Sequence, residues 1–457
     1  MKVLLALALL SAAAGAPAAK PLRAHQEPRG VGHLIARGDR VEISYSVDTA
    51  GVKSPSGTLY VRNGLQRRFQ SVAMKPEGRG TLHAVVPGRL IRGDRLVYFG
   101  KVRDPKSGRA ATLPHRTAWI LEKPIVVRLG THRFGHTRQP EAVVARAAAS
   151  EVGWQTEGDA FGPETFLVGR DRSIWLDDGL NSRLLRWSPG VPDVVAGSVP
   201  LPSGTTDGDV ALGPGGSLYV TGGVGVGLLH HRVLYRLDAS GKILWQSRLA
   251  GDLQDTGSFV LGANSPLRFG PDGTLYCLTG MPGLPGGEPG WIPVATPAGR
   301  PLSVSEQRRR TRWPYQPVAG RLRLVSELHI PPGADAAPHE ARFALFKGDR
   351  IVRAWRVLSR TDINFGYTTP ELVSGDPVVV LDVTKGSGDG GTFKWEYEAL
   401  WLAPRGTRAR FSLSRAVYGD NLLADIRVGP NGKLYQLGSS PISGVEISRY
   451  SLGGSAR

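Results

Sequence analysis

Leu267-Arg268-Phe269-Gly270-Pro271-Asp272-Gly273-Thr274-Leu275-Tyr276 is one of four stretches of this chain that align without a gap. The others are Phe166-Leu167-Val168-Gly169-Arg170-Asp171-Arg172-Ser173-Ile174-Trp175, Val210-Ala211-Leu212-Gly213-Pro214-Gly215-Gly216-Ser217-Leu218-Tyr219 and Ile426-Arg427-Val428-Gly429-Pro430-Asn431-Gly432-Lys433-Leu434-Tyr435. Each opens with a short apolar run, breaks at a turn rich in Gly, Asp or Asn, and resumes with an apolar residue and an aromatic ring. Physically that is a strand, a tight turn able to accept positive φ, and a second strand. Repetition in a constant frame marks an architecture built from one repeated unit.

Two looser copies lie between the third and fourth. Phe343-Ala344-Leu345-Phe346-Lys347-Gly348-Asp349-Arg350-Ile351-Val352 keeps the frame, and Val378-Val379-Val380-Leu381 reaches Thr392-Phe393-Lys394-Trp395 through a longer Gly-rich turn. Anchored on the Ile174 equivalent, the copies stand at 174, 218, 275, 351, 393 and 434, at intervals of 44, 57, 76, 42 and 41 residues. Four-stranded blades need about 40–50 residues each, so residues 154–452 read as a six-bladed β-propeller with two insertions. A solenoid would repeat at a shorter period.

Gly162-Pro163-Glu164-Thr165-Phe166, Ile174-Trp175-Leu176-Asp177-Asp178 and Asn181-Ser182-Arg183-Leu184-Leu185-Arg186-Trp187 together resemble an NHL-type blade. The span 154–452 is similar to the NHL and gluconolactonase-like six-bladed group. That resemblance implies either a binding or scaffold module or a metal-dependent hydrolase or lyase working at the channel mouth. Gluconolactonase-like enzymes begin their metal site with a Glu just before the first Gly-Pro, where this chain has Phe161. One blade, Leu234 to Trp245, also resembles the outer strands of quinoprotein blades, and it implies no quinone cofactor.

Ahead of the repeats the pattern changes. Val41-Glu42-Ile43-Ser44-Tyr45-Ser46-Val47, Gly57–Arg62, Thr81–Val86 and Arg95–Val102 are short period-2 strands separated by turn residues, so 39–121 reads as a β-sandwich. Val86-Pro87-Gly88 through Leu96-Val97-Tyr98-Phe99 to Asp104 and Gly108 resembles the end of a fibronectin type III or immunoglobulin-like domain. Residues 19–38 read as a linker and 122–153 as a connector with a short helix around Glu141–Ser150; 453–457 form a tail. The fold class is therefore all-β, a sandwich followed by a propeller.

Residues 1–18 have a charged start, an eight-residue apolar core and small residues at an A-x-A site, the pattern of a secretory signal peptide. The reading is an exported protein, secreted or periplasmic, without a membrane span and monomeric. Within 457 residues there is one Cys, which excludes a disulfide framework, a Cys-based zinc site and an iron–sulfur cluster. Cys277 sits in the apolar run Leu275–Leu278 and reads as a buried hydrophobe. The hydrophobic fraction of 41% supports a real core and excludes wholesale disorder.

Candidate chemistry follows from the propeller frame. Residues just ahead of each inner strand face the channel entrance, and in the clear copies these are Glu164, Asp209, Asn264 and Asp425. Converging oxygens would suit a divalent cation, Ca²⁺ or Mg²⁺; the same side chains could instead cap turns. His230 and His231 follow a Gly-rich run, and streptogramin-lyase-like propellers use His and Glu with Mg²⁺. Adjacent strand residues face opposite sides, so at most one could serve a shared site. Gly386 to Gly391 matches GxGxxG, but the alternating Phe393–Trp401 that follows is a strand where a dinucleotide fold needs a helix.

The formal net charge is +18, from 57 Lys+Arg against 39 Asp+Glu, and Arg dominates it. Its one concentration, Arg308, Arg309, Arg310 and Arg312 beside Trp313 and Tyr315, is either a solvated loop or a grip on extracellular polyanions. The expected partner is a polyanion, glycan or protein outside the cell rather than nucleic acid.

Overall fold

The computed structural model describes residues 22, 24–26, 32–48, 55–78, 80–157, 161–163, 165–202, 205, 208–224, 231–250, 266–279, 290–310, 316–329, 338–365, 370–386, 393–418 and 425–453. The signal-peptide expectation for 1–18 lies outside them. Two compact units result, one of 1–31 with 37–120, the other of 32–36 with 121–457.

The first unit is two antiparallel sheets. One orders Ala24–Gln26, Val41–Val47, Thr81–Val86 and Lys75–Glu77; the other orders the strand from Arg116, then Arg95–Arg103, Ser56–Asn63 and Gln70–Ala73, with Ala110–Thr112 beside Arg95–Arg103. Val41, Ile43, Tyr45 and Val47 are buried while the residues between them are half-buried, the alternation of a sheet with one wet face. The dry faces meet closely: a Cβ on Gly100 would lie 2.9 Å from the Tyr45 ring. Part of the expected linker is ordered into strands. Ala24–Gln26 pairs with Val41–Val47, and the buried Leu34–Ala36 belongs to the second unit.

Among the described residues the second unit holds six sheets. The first runs Phe166–Val168, Ile174–Asp178, Arg183–Trp187 and Val195–Pro200 in sequence order, and the second Val210–Leu212, Leu218–Val224, His231–Leu237 and Ile243–Arg248. The third is Leu267–Phe269, Leu275–Thr279 and Gly290–Ala295. The fourth is Gln316–Ala319, Leu322–His329, Glu340–Lys347 and Arg350–Ser359, with Ile125–Gly130 added in parallel. The fifth sets Asp362–Phe365 and Glu371–Val373 against Asp376–Lys385, then Lys394–Ala403 and Gly406–Ser414. In the sixth, Ile426–Val428, Leu434–Ser440 and Gly444–Tyr450 are completed by Ala142–Ala147 from the other end of the unit.

The four clear copies form the hairpin between the first two strands of their sheets, in one register: Phe166 opposite Leu176, Val210 opposite Val220, Leu267 opposite Cys277 and Ile426 opposite Gln436. In each turn the glycine amide donates to the carbonyl four residues on, at 2.8–2.9 Å. The two looser copies are hairpins in a different position. Phe343–Val352 joins the third and fourth strands of its sheet, and Val378–Trp395 the second and third. Alternation and a turn are common to any hairpin, so those two copies could not tell which one they marked. The equivalent turns are those before Leu322 and before Asp376, where Gly320, Ser374 and Gly375 carry the positive φ. Second strands then begin at 174, 218, 275, 322, 376 and 434, and the outlying interval of 76 disappears.

Consecutive sheets share cores. Phe166, Ile174 and Trp187 pack with Tyr435, Leu437 and Ile447 of the sixth sheet; Leu167 and Trp175 pack with Leu218 and Tyr235 of the second. Tyr219 and Leu234 meet Leu275, Cys277 and Val294 of the third. Phe343 and Trp355 of the fourth meet Leu381 and Leu400 of the fifth, whose Val380 and Tyr397 meet Ile426 and Leu434 of the sixth. Asp272 and Tyr276 of the third face Pro317 and Arg323 of the fourth across a small cavity. Cys277 is fully buried, as its apolar run implies.

The expected connector also differs. Ile125–Gly130 and Ala142–Ala147 are strands, and the helix expected around Glu141–Ser150 is reduced to a single 3-10 turn at Ala149–Glu151. After Gly130, His132 is inserted against the fifth sheet, its Nδ1 3.0 Å from Glu398 and its Nε2 2.8 Å from Glu396. Burial works to lower the imidazole pKa, but hydrogen bonds and charge from both glutamates outweigh it and raise it. Glu398 is lowered: burial alone would raise it, and bonds from His132 and Arg410 prevail. A raised native pKa stabilises fully below the unfolded value of about 6.5 and is lost as pH climbs through the native one. The lowered Glu398 stabilises above about 4.5 and is lost as pH falls. His132→Gln should therefore cost about 1–3 kcal/mol between those limits, with the deficit shrinking towards pH 9. Urea unfolding across that range tests it, and a pH-independent deficit would refute the ion-pair account.

Candidate functional site

The residue ahead of each first strand has a defined job. Its carbonyl accepts from the second strand: Asp177 N to Thr165, Thr221 N to Asp209, Leu278 N to Pro266 and Leu437 N to Asp425, all at 2.7–3.0 Å. Asp209 and Asp425 thus stand immediately ahead of their first strands. Glu164 and Asn264 precede it by one and two residues and lie outside the described residues.

Asp209 is almost wholly buried and both its oxygens are engaged. Oδ1 accepts from Val210 N at 2.8 Å, from Thr165 Oγ1 at 3.2 Å and from Arg427 Nη2, while Oδ2 accepts from Leu267 N at 2.8 Å. Asp425 accepts from the Tyr397 hydroxyl at 2.7 Å. Burial pushes Asp425 up to about 6, and burial together with the charge of Asp425 pushes Asp382 up to about 7 against the pull of Arg415. Burial likewise drives the Tyr397 phenol far upward. Both Asp209 oxygens and Asp425 Oδ2 thus accept from protein donors. Among the described residues, the group of three able to share an ion is Glu42, Glu77 and His83, on the wet face of a sheet in the first unit.

A concavity in the second unit, about 780 Å³, is bounded by the first strands of five sheets, through Leu167, Ala211, Arg268, Glu371 and Arg427. Gly169, Gly213, Gly215 and Gly216 from the hairpin turns, and Gly197, also line it. Leu167, Ala211, Arg268 and Arg427 hold the same central position of their strands, the one that turns towards a neighbouring sheet. Arg268 forks onto Glu371, Nη1 to Oε1 and Nη2 to Oε2, each 2.6 Å, with Nη1 also donating to Pro370 O at 3.1 Å. Arg186 lies over the Trp175 ring at 5.1 Å and reaches Asp171 at 3.3 Å. The Nε–H groups of Arg186, Arg268 and Arg427 are shut off from solvent and find no acceptor among the described residues. A buried donor left so costs about 1–3 kcal/mol.

These arginines escaped the sequence reading, which followed carboxylates. The signal was present, since Arg268 and Arg427 replace an apolar residue at the centre of two otherwise apolar strands. The Arg308–Arg310 cluster begins on the helix Val304–Arg309, whose Ser303 accepts from Glu306 N in a capping box and whose Gln307 is buried. The three arginines are exposed at its C-terminal end, where cations suit the helix dipole. Arg312, Trp313 and Tyr315 lie outside the described residues, as do His230 and the turn 387–392. His231 opens a strand, and the GxGxxG stretch is flanked by paired strands, Lys385 opposite Lys394.

No protein-family model matches this chain, and no curated protein does. Two solved structures of a surface-layer protein overlap it weakly. SbsC domains 1–6 aligns over 90% of this chain and 62% of its own at 10% identity and a TM-score of 0.14. The rSbsC(31-844) fragment aligns over 92% and 63% at 9% identity and a TM-score of 0.13. Overlap at that level carries no argument about fold or function. Among the described residues no helix is long and apolar enough to cross a membrane.

Asp209→Ala is expected to cost about 3–5 kcal/mol in urea unfolding, because it strands Arg427 and two amides. Adding Arg427→Met should recover part of that loss; strict additivity would show that the two side chains are not coupled. Separately, Arg308→Gln/Arg309→Gln/Arg310→Gln should elute from heparin at lower salt than the parent if that cluster grips polyanions. Unchanged elution leaves it a solvated helix end.

Proposed function

We propose that the chain is an exported, monomeric binding protein whose second unit is a six-bladed propeller and whose ligand enters the cavity at the centre of its sheets. The observation that carries this is the lining of one cavity by first strands from five of the six sheets, all but the fourth. Support comes from cores shared in ring order, from first sheet to second to third and from fourth to fifth to sixth and back to first. Pairing of Ala142–Ala147 with Gly444–Tyr450 joins both ends of the unit in one sheet, which is how such a ring closes. A concavity of this volume suits a small ligand or the end of a polymer, glycan or peptide. The first unit, fibronectin-like in strand pattern, serves as a spacer or second contact.

A metal-dependent hydrolase or lyase draws less support, since Asp209 has given its oxygens to protein donors and Asp425 has bonded a phenol. The test is a glycan and peptide panel read by thermal shift, with Gly197→Trp as the blocking variant. A Cβ on Gly197 meets nothing within 4 Å, so the indole should fill the cavity while leaving Tm within a few degrees. Ligands that stabilise the parent should fail to stabilise this variant; equal stabilisation would place binding elsewhere.

A further inference from the structure

We infer that the cavity takes an oxyanion, a carboxylate, sulfate or phosphate carried on a small ligand or chain end, and that Arg186, Arg268 and Arg427 receive it. The inference rests on the cavity being the ligand site and adds the chemistry of what enters. Four arginines and two acids line it, so the charge of its wall is net positive. Arg268, nine-tenths buried, already holds a carboxylate in a fork, that of Glu371, and this shows the oxyanion geometry the wall accommodates. Arg186 and Arg427 stand in the same lining, their Nη2 groups turned to Asp171 at 3.3 Å and to Asp209. A guanidinium stays charged and presents a planar fork, so an oxyanion gains charge-assisted, two-point bonds from it that a neutral hydroxyl does not. Glu371 is partly exposed, so an incoming anion can share or replace its place on Arg268. Gly197, Gly215 and Gly216, where a Cβ would meet nothing within 4 Å, leave room for the group that carries the anion.

The experiment is calorimetric titration of the mature protein with glucuronate, a heparin-derived sulfated disaccharide, inorganic phosphate and neutral glucose. At least one sugar-borne anion should bind ten-fold or more tightly than glucose, with affinity falling as salt rises. Phosphate binding as tightly would assign the site to the free ion, while sugar acids binding alone would assign it to an anion displayed on a sugar. Arg268→Gln with Glu371→Gln removes the fork without a net charge change and should weaken binding at least ten-fold; Arg186→Gln should weaken it several-fold. Arg308→Gln/Arg309→Gln/Arg310→Gln should leave it unchanged. Glucose matching glucuronate, with both blocked by Gly197→Trp, would overturn the oxyanion and leave the cavity as the ligand site. Anion binding indifferent to the Arg268 and Glu371 changes, or absent for all three anions, would overturn it as well. Circular dichroism and Tm of each variant separate lost binding from lost fold.

Discussion

One carboxylate fixes how four sheets meet. The donors to Asp209 come from Thr165 ahead of the first sheet, Val210 of the second, Leu267 of the third and Arg427 of the sixth. Apolar burial is non-directional and would tolerate a sheet sliding against its neighbour. A buried charge tolerates no such freedom, because losing any donor leaves an unsolvated oxygen. The hydrophobic cores therefore decide that the sheets pack, and Asp209 decides at which height.

Burial patterns in the two units follow from what covers each sheet. In the first unit Val41–Val47 alternates buried and half-buried, one face dry and the other wet. In the second, Ile174–Asp178 and Gly290–Ala295 are buried at every position, as strands are when a neighbouring sheet lies on either side. Polar side chains on such strands have no water to turn to. Asp178 is accordingly bonded by Gly153 N, Asn181 and Arg183, and Glu398 by His132, Arg410 and Ser412.

Legibility tracked how local the governing interaction is. The four clear hairpins were readable because turn chemistry and alternation lie within ten residues, and their register agrees to the residue. The looser copies were readable as hairpins but not as to which hairpin, since that depends on strands far away in sequence. Ile125–Gly130 and Ala142–Ala147 were read as a connector because each is an added strand without a turn partner nearby; their partners lie more than 200 residues on. Arg268 and Arg427 show the same limit. Each is an anomaly in its own strand, and only the fold supplies Glu371 and Asp209 to explain it.

The basic charge changes meaning in this light. Arginine outnumbers lysine among the ion pairs of buried acids: Arg342 and Arg356 on Glu340, Arg353 and Arg408 on Asp376, Arg410 on Glu398, Arg427 on Asp209. Burial would raise Glu340, yet its two guanidinium partners hold it at about 2. A planar fork can bridge two elements at a fixed angle, which a flexible ammonium cannot. Sheets stacked on both faces require that bridging wherever an acid is buried between them. Arginine content is thus partly a structural demand of the stacked sheets, and one of these bridging groups, Arg427, also lines the cavity.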